Sequence, residues 1–583
     1  MRDLLLLCTL LLAGCQGAAP PPDTYVQATS KSIVTLDPAY AYDAASLAVI
    51  SNVYEPLISC KNTTTSEYEP VLSAEVPSLK NGRISDDRTT YVFPIRKGIF
   101  FHDGTPLTPE DAKYSLMRLM LQDREGGPSS LLLRPILGTD STRNEQGHIL
   151  TYLYREADQN IQIHGNDLII HLKHPWNPFL AVMARWSFVL PKPWAVRHGD
   201  WDGTETTWTR YNNPEKTTFY ISNHMNGTGP YLLESWKKQA RQIVLLRNDR
   251  YWKKTAALTL RRILIQEIQD FAARKRMLLL GDADSIDVER RFLSQIQAVP
   301  GVETTDGLSP IQIDPILCFT FHVSSPANPY IGSGKLDGGG IPPDFFADVN
   351  VRKGFAYSFD YNRYLQDTFD EKASQAKSPI PPRLFGHNPG QKTYRYDLPK
   401  AREHFQKALQ GQVWDKGFQL TLNYDLGNME HQRAAEILKN GVESVHRKFK
   451  IDVKPLPWDK IAKELRRKKL PLFVIGWAID YADPHSFSYP LLHSQGTIAS
   501  KQGYRNSSLD QWIEEAALET DPQKRDRLYR KIQWAAYEDA PQIWITSGLA
   551  SRVQRSRVKG WSFNPLFPGA PHFGYYYELY KEE

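Results

Sequence analysis

Among the 583 residues, His102 in Phe101-His102-Asp103-Gly104 is the first that could do chemistry, because an imidazole beside a carboxylate suits a metal or a proton transfer. No second ligand stands at metal spacing, and Asp103-Gly104 is a turn-forming pair. The run Gly332-Ser333-Gly334-Lys335-Leu336-Asp337-Gly338-Gly339-Gly340 suggests phosphate binding. Yet Leu336 occupies the position where a P-loop needs Ser or Thr, and Ile341-Pro342-Pro343 follows where a helix should start, so a flexible surface loop is expected. Neither Gly-x-Ser-x-Gly nor His-Glu-x-x-His occurs, which leaves a secreted hydrolase without a recognisable nucleophile or metal set. Asp480, in Gly476-Trp477-Ala478-Ile479-Asp480-Tyr481, taken alone would be a loop carboxylate in a surface ion pair.

The bulk numbers exclude several classes. Lys plus Arg at 71 against Asp plus Glu at 65 gives a net charge of +6, too dilute over this length for a nucleic-acid binder. The densest basic run, Arg466-Arg467-Lys468-Lys469, follows an amphipathic stretch from Trp458 and reads as a solvated helix face. Hydrophobic residues at 41% and charged residues at 23% are those of a globular chain with a large core. Aromatics at 11%, with 14 Trp and 29 Tyr, suit a large, wet, partly apolar binding surface.

The N-terminus reads as an export signal. Arg2 precedes the apolar run Leu4 to Leu12, far short of the ~20 residues a membrane-crossing helix needs but right for a signal h-region. The run ends in Leu12-Ala13-Gly14-Cys15, which looks like a bacterial lipobox. Cleavage before Cys15 would leave its thiol to carry a diacylglycerol, and Ala18-Ala19-Pro20-Pro21-Pro22 would be an extended tether. Residues 1–14 are then signal and 15–22 tether, with the protein anchored by lipid to the extracytoplasmic face of a bacterial membrane without spanning it. Cys60 and Cys318 remain, expected in different lobes as free thiols.

The elements behind these residues alternate strands with capped helices, as in an α/β protein. A strand at Tyr91, Phe93 and Ile95 leads through the Asp103-Gly104 turn to a helix with Thr108 as N-cap, Pro109 at N1 and Asp111 at N3. Tyr231 to Trp236 and Gln242 to Arg247 form a hairpin, followed by a strand at Ile263 to Ile268. Asp270 caps a helix ending at Leu280, with Gly281 as its left-handed terminator, and Ser285 to Val288 resumes a strand.

Several segments together resemble solute-binding protein family 5 of ABC transporters, the oligopeptide- and dipeptide-binding proteins, over nearly the whole mature chain. They are Leu36-Asp37-Pro38 with Tyr54-Glu55-Pro56-Leu57, and Tyr91 to Gly98 running into Phe101 to Thr108 with Glu110-Asp111. Further on stand Gly227-Thr228-Gly229-Pro230-Tyr231 and Arg247-Asn248-Asp249-Arg250-Tyr251-Trp252, with Asp249 where the family has Pro. Val351-Arg352 with Asp360, where Gly354 replaces Ala, precede Gly476-Trp477 with Asp480-Tyr481-Ala482-Asp483-Pro484. Asp510, Arg525, Tyr529 and Ala540-Pro541 complete the order.

The resemblance implies a type II periplasmic-binding-protein fold, two lobes joined by a hinge, with an extra subdomain on lobe I. Lobe I is expected at 23–60, 185–265 and 495–583, the extra subdomain at 61–184 and lobe II at 266–494, with hinge segments at Ile263 to Ile268 and Leu492 to Gly503. It implies a monomeric receptor, not an enzyme, that needs no cofactor and hands an extended peptide to ABC permease subunits. Asp480 aligns with the Asp that receives the ligand's α-ammonium, Trp477 and Tyr481 would wall that pocket, and Tyr40 and Tyr42 lie in a loop that faces the cleft. Asp483, before a proline, would hydrogen-bond locally, and His102 would belong to scaffold. The same fold also accepts a nickel chelate, haem or oligosaccharide.

Overall fold

The computed structural model describes residues 20–61, 64–214, 219–254, 259–567 and 572–582. Residues 1–14 and Cys15 lie outside them, so the expected signal and lipid attachment do too.

Two sheets organise the molecule. The larger has seven strands in the order Val302–Leu308, Ala550–Arg555, Ser285–Ile286, Thr24–Thr29, Arg262–Glu267, Gln242–Arg247 and Tyr231–Lys237. Thr24–Thr29 pairs in parallel with both Arg262–Glu267 and Ser285–Ile286. It is buried at all six positions, as a strand covered on both faces must be. The second sheet has five strands in the order Phe449–Leu456, Phe418–Asp425, Leu472–Ala478, Gln312–Phe319 and Gln542–Trp544. A three-stranded antiparallel sheet of Thr90–Pro94, Asp167–His171 and Ile161–His164, with its helices, forms an inserted subdomain that shares one core with the larger sheet.

The chain passes between the two large sheets at 309–311 and again at 545–549. This differs from the expected hinges. Arg262–Glu267 lies inside the seven-stranded sheet, and its neighbours hold the chain in the first lobe through Leu308, where Val26, Ala28, Ile286 and Val553 pack in one cluster. The segment at Leu492 to Gly503 stays within the second lobe. There the helices Ser507–Leu518 and Pro522–Asp539 pack Leu509, Ile513, Leu528 and Ile532 into the core under the five-stranded sheet.

Local signals were obeyed closely. Thr108 and Asp111 form a reciprocal capping box at the helix Pro109–Gln122, Asp270 caps Phe271–Leu280, and Gly281 ends that helix with φ +84°. The glycine-rich loop is a different object from the flexible one expected. Gly332 pairs with Gly340 as an isolated bridge, and a Cβ on Gly332 would stand 2.1 Å from the Gly339 carbonyl oxygen. Glycine is required there because two backbones touch.

The family-like motifs are mostly joints. Asp37 is fully buried and takes both Arg118 guanidinium ends at 2.7 and 2.6 Å, while Arg118 also holds Asp200 at 2.6 Å. Glu55 collects the Thr228 hydroxyl at 2.7 Å, the Tyr251 hydroxyl at 2.7 Å and the Trp252 indole N–H at 2.8 Å. One buried carboxylate thus ties together three motifs nearly 200 residues apart in sequence. Gly227 and Gly229 allow this closeness: a Cβ on Gly227 would sit 1.9 Å from the Val53 carbonyl oxygen.

Candidate functional site

The loop carrying Tyr42 is shaped from within. Asp37 accepts the Ala39 amide at 2.9 Å, and Asp43 caps the helix Ala44–Val53 through the Ser46 amide at 2.8 Å. Tyr42, between these two fixed points, keeps 40% of its surface open. Its ring lies 5.5 Å from that of Trp186, the last residue of the apolar helix Phe179–Trp186.

Asp480 faces them from the other lobe, just beyond the strand Leu472–Ala478. Its backbone is held from both sides: its amide donates to Ser486 Oγ at 2.9 Å, and its carbonyl accepts Trp186 Nε1 at 2.8 Å across the cleft. The Tyr42 hydroxyl and the Arg185 guanidinium both lie close enough to favour its ionised form. Burial raises the Asp480 carboxyl to about 6, against the lowering effects of Tyr42 and Arg185. The Tyr42 hydroxyl is raised well above its ordinary value, first by burial and then by the Asp480 charge, so it remains a donor.

Arg185 shares this space. Its Nη1 donates to the Leu566 carbonyl at 2.9 Å, while its Nε is buried with no hydrogen-bond partner among the described residues. A carboxylate and a guanidinium therefore lie within electrostatic reach of each other where the two lobes meet. Such a pair can meet a ligand ammonium and a ligand carbonyl or carboxylate in one place. Trp477, half-buried, anchors its indole N–H on the Ser486 carbonyl at 2.8 Å and leaves the rest of the ring beside the same loop.

Two of the expected ligand residues are placed elsewhere. Tyr40 is 4% exposed, with Arg118 and Arg124 at 5.5 and 5.3 Å from its ring. The turn that brings Tyr42 into the cleft directs Tyr40 into the core. Tyr481 is 5% exposed and packs against Trp176 of the inserted subdomain, its hydroxyl 2.7 Å from His485 Nδ1. Although it directly follows Asp480, its ring is taken up by the core of the first lobe and the inserted subdomain.

Asp483 accepts the His485 amide at 2.9 Å, the local role expected, and adds an ion pair with Arg525 at 2.8 Å. His102 spends both ring nitrogens on backbone, 3.0 Å from the Gly229 carbonyl and 3.3 Å from the Gly227 amide. Cys60 and Cys318 are free thiols, half-buried and buried. Sequence reasoning missed Arg185 and Trp186. An arginine inside Phe-Leu-Ala-Val-Met-Ala-Arg-Trp, an otherwise apolar helix, was the available signal.

Among the described residues no cluster of three or more His, Cys, Asp or Glu side chains could hold a metal ion, and no helix is long and apolar enough to cross a membrane. The family model of the bacterial extracellular solute-binding proteins, family 5, middle, matches residues 67–498. The chain is 23% identical over 556 residues to the probable D,D-dipeptide-binding periplasmic protein DdpA of Escherichia coli (strain K12), covering 94% of this chain and 93% of the relative. It is 24% identical over 588 residues to heme-binding protein A of Haemophilus influenzae, covering 96% and 95%. In structure it is similar to the ABC transporter-associated periplasmic binding protein DppA of Helicobacter pylori, solved with the peptide STSA. The TM-score is 0.72 at 20% identity, over 96% of this chain and 98% of that one. The architecture is therefore the type II periplasmic-binding-protein fold, two hinged lobes with a subdomain inserted in the first.

Proposed function

Because the chain belongs to the bacterial extracellular solute-binding proteins of family 5, the solute-capturing components of ABC importers, we propose that it binds peptides with a free amino end in the interlobe cleft and delivers them to a membrane permease. The observation that carries this reading is the Asp480 carboxylate, presented beside Tyr42 where the two lobes meet. A buried ammonium requires an opposite charge, and the cleft offers one whose geometry is fixed by backbone bonds from both lobes. The edges and loops of the cleft can pair with an extended backbone without reading its side chains, which suits a receptor of broad specificity.

The protein acts as a monomeric receptor and not as an enzyme. It is exported and held at the membrane by a diacylglycerol on Cys15, with Ala18 to Pro22 as tether.

Mass spectrometry of the molecules released on denaturing the protein purified from its native source tests the proposal. Peptides of unaltered ends are the expected result. Haem, a nickel chelate or an oligosaccharide in their place would move the protein to the non-peptide branch of the family, and truncated fragments of an added peptide library would indicate a hydrolase.

A further inference from the structure

The inserted subdomain shares a core with the first lobe, yet it also holds the second. Asn177, just before the helix Phe179–Trp186, reaches the end of the helix Ser507–Leu518 in the second lobe. Its backbone amide and its Nδ2 each donate to the Ala517 carbonyl at 2.9 Å, and Nδ2 also donates to the Glu519 carbonyl at 2.6 Å. The last carbonyls of a helix have no partner inside it. Here another body of the protein supplies one.

Trp176 packs beside this contact. It is 9% exposed, with its ring 5.9 Å from Tyr481 and 5.6 Å edge-on to His485. Tyr481 follows Asp480 directly, and His485 opens the helix His485–Leu492 that continues from the ligand loop. Arg134 of the subdomain lies 3.5 Å over the ring of Tyr489 on that same helix. The contacts of Trp176 and Asn177 are thus made to the loop that carries the ligand carboxylate and to the helix packed behind it. The two chain crossings at 309–311 and 545–549 belong to other segments. A bond placed away from a hinge must break before the lobes can separate.

Resting on the reading that a solute is captured between the two hinged lobes, we propose that the lobes close around it and that Trp176-Asn177 is a latch whose release sets the lifetime of the closed state. Closure brings Asn177 to the open end of the helix Ser507–Leu518, and the Trp176 contact registers the position of the Asp480 loop. The latch acts after the encounter, so it governs release and not capture. It also biases the lobes toward closure when no ligand is present, because its bonds are internal to the protein.

Two variants separate the latch from general packing. Asn177→Ala removes the side-chain bonds and keeps the backbone bond to Ala517. Asn177→Asp keeps the shape but aims a carboxylate at the carbonyl end of a helix, where negative charge is unfavourable. The probe is trialanine, followed by stopped-flow fluorescence. Loss of the side-chain bonds should speed dissociation about tenfold in Asn177→Ala and more in Asn177→Asp, with association changed less than about twofold.

Energy transfer between dyes at Tyr152→Cys on the subdomain and Trp458→Cys on the second lobe, both exposed positions, reports the closed fraction without ligand. Burial raises the native thiols, Cys60 to about 11 and Cys318 well above its ordinary value, which favours labelling at the introduced ones. The closed fraction should fall in the order wild type, Asn177→Ala, Asn177→Asp. Unchanged dissociation in both variants overturns the latch. Should trialanine fail to bind the wild type, the peptide reading falls by itself, and the ligand-free closed fraction then decides. An equal fraction in all three proteins, zero included, overturns the latch.

Discussion

Arg525 Nη2 donates to both carboxylate oxygens of Asp483, at 2.9 and 2.8 Å, three residues past Asp480. The pair is largely buried, with side-chain exposures of 11% and 9%. It fastens the Asp480 loop to the helix Pro522–Asp539, whose Arg525 also caps the Ala516 carbonyl at 2.8 Å. The site loop is therefore fixed by a joint that is not itself in the site.

Arg525→Met should leave the Asp483 carboxylate buried without its partner, a change that typically destabilises by roughly 3–5 kcal/mol. Urea unfolding measures it. The double variant Arg525→Met, Asp483→Asn should recover much of that loss, since no uncompensated charge remains. A double variant as unstable as the single one would show that packing, not charge, carries the joint.

A second buried charge makes stability depend on pH in the opposite sense from most carboxylates. His431 lies 2.7 Å from Asp314 and also contacts Asp425. Burial works against its protonation, but the two carboxylates outweigh it and raise the imidazole to about 10. The unfolded value is ~6.5, so the folded state holds the proton more tightly. The contribution is complete below pH ~6.5 and is lost as pH rises toward 10, with a slope of up to about 1.4 kcal/mol per pH unit. Denaturant midpoints between pH 6 and pH 10 should fall more steeply for the wild type than for His431→Gln. Parallel curves would remove His431 from the account.

The sequence carried the local structure well because caps and turns are set by neighbours. Thr108 with Asp111, Asp270 and Gly281 each act within one helical turn. It carried the architecture through resemblance, whose motifs turn out to be joints such as Asp37 with Arg118 and Glu55 with Trp252. The hinge positions were not legible. Strand order is fixed by long-range pairing, and nothing near Ile263 or Leu492 signals on which sheet the chain will stay. The site was half legible. Asp480 and Tyr42 come close to each other between the lobes and Trp477 is tied to the same loop through Ser486, while Tyr40 and Tyr481 are buried in the core, which no spacing rule resolved. Arg185 was hidden because only the tertiary fold brings its helix near Asp480.

The proposed membrane attachment rests on Leu12-Ala13-Gly14-Cys15. Cys15→Ser removes the only thiol in Leu12-Ala13-Gly14-Cys15. A single thioether-linked diacylglycerol contributes two acyl chains, enough for stable anchoring, so the variant should move from the membrane fraction to the soluble one. Mass spectrometry of the mature N-terminal fragment should find the acyl mass on wild type only. Retention of the variant at the membrane, with no acyl mass on the wild type, rejects the anchor.

Asp480 gives the sharpest test of the site because its charge and its geometry can be separated. Asp480→Asn keeps the shape and removes the charge that is proposed to face a ligand ammonium. Leaving that ammonium buried without a counter-ion should cost roughly 3–5 kcal/mol, so affinity for a free-amine peptide falls at least ~100-fold. The same peptide N-acetylated should bind the wild type poorly, and the Asn variant should scarcely distinguish the two. Protonation supplies an independent check. Burial pushes the carboxyl of the ligand-free protein up to about 6, and a bound ammonium must lower that value. Free-amine affinity should therefore hold steady above pH ~7 and fall by up to tenfold per pH unit below about 6, while acetylated-peptide affinity stays flat. Calorimetry with the matched pair at pH 5, 6 and 7.5 reads both effects. Equal wild-type affinity for the two peptides at pH 7.5 would take the ammonium away from Asp480, leaving the cleft to a solute that has none.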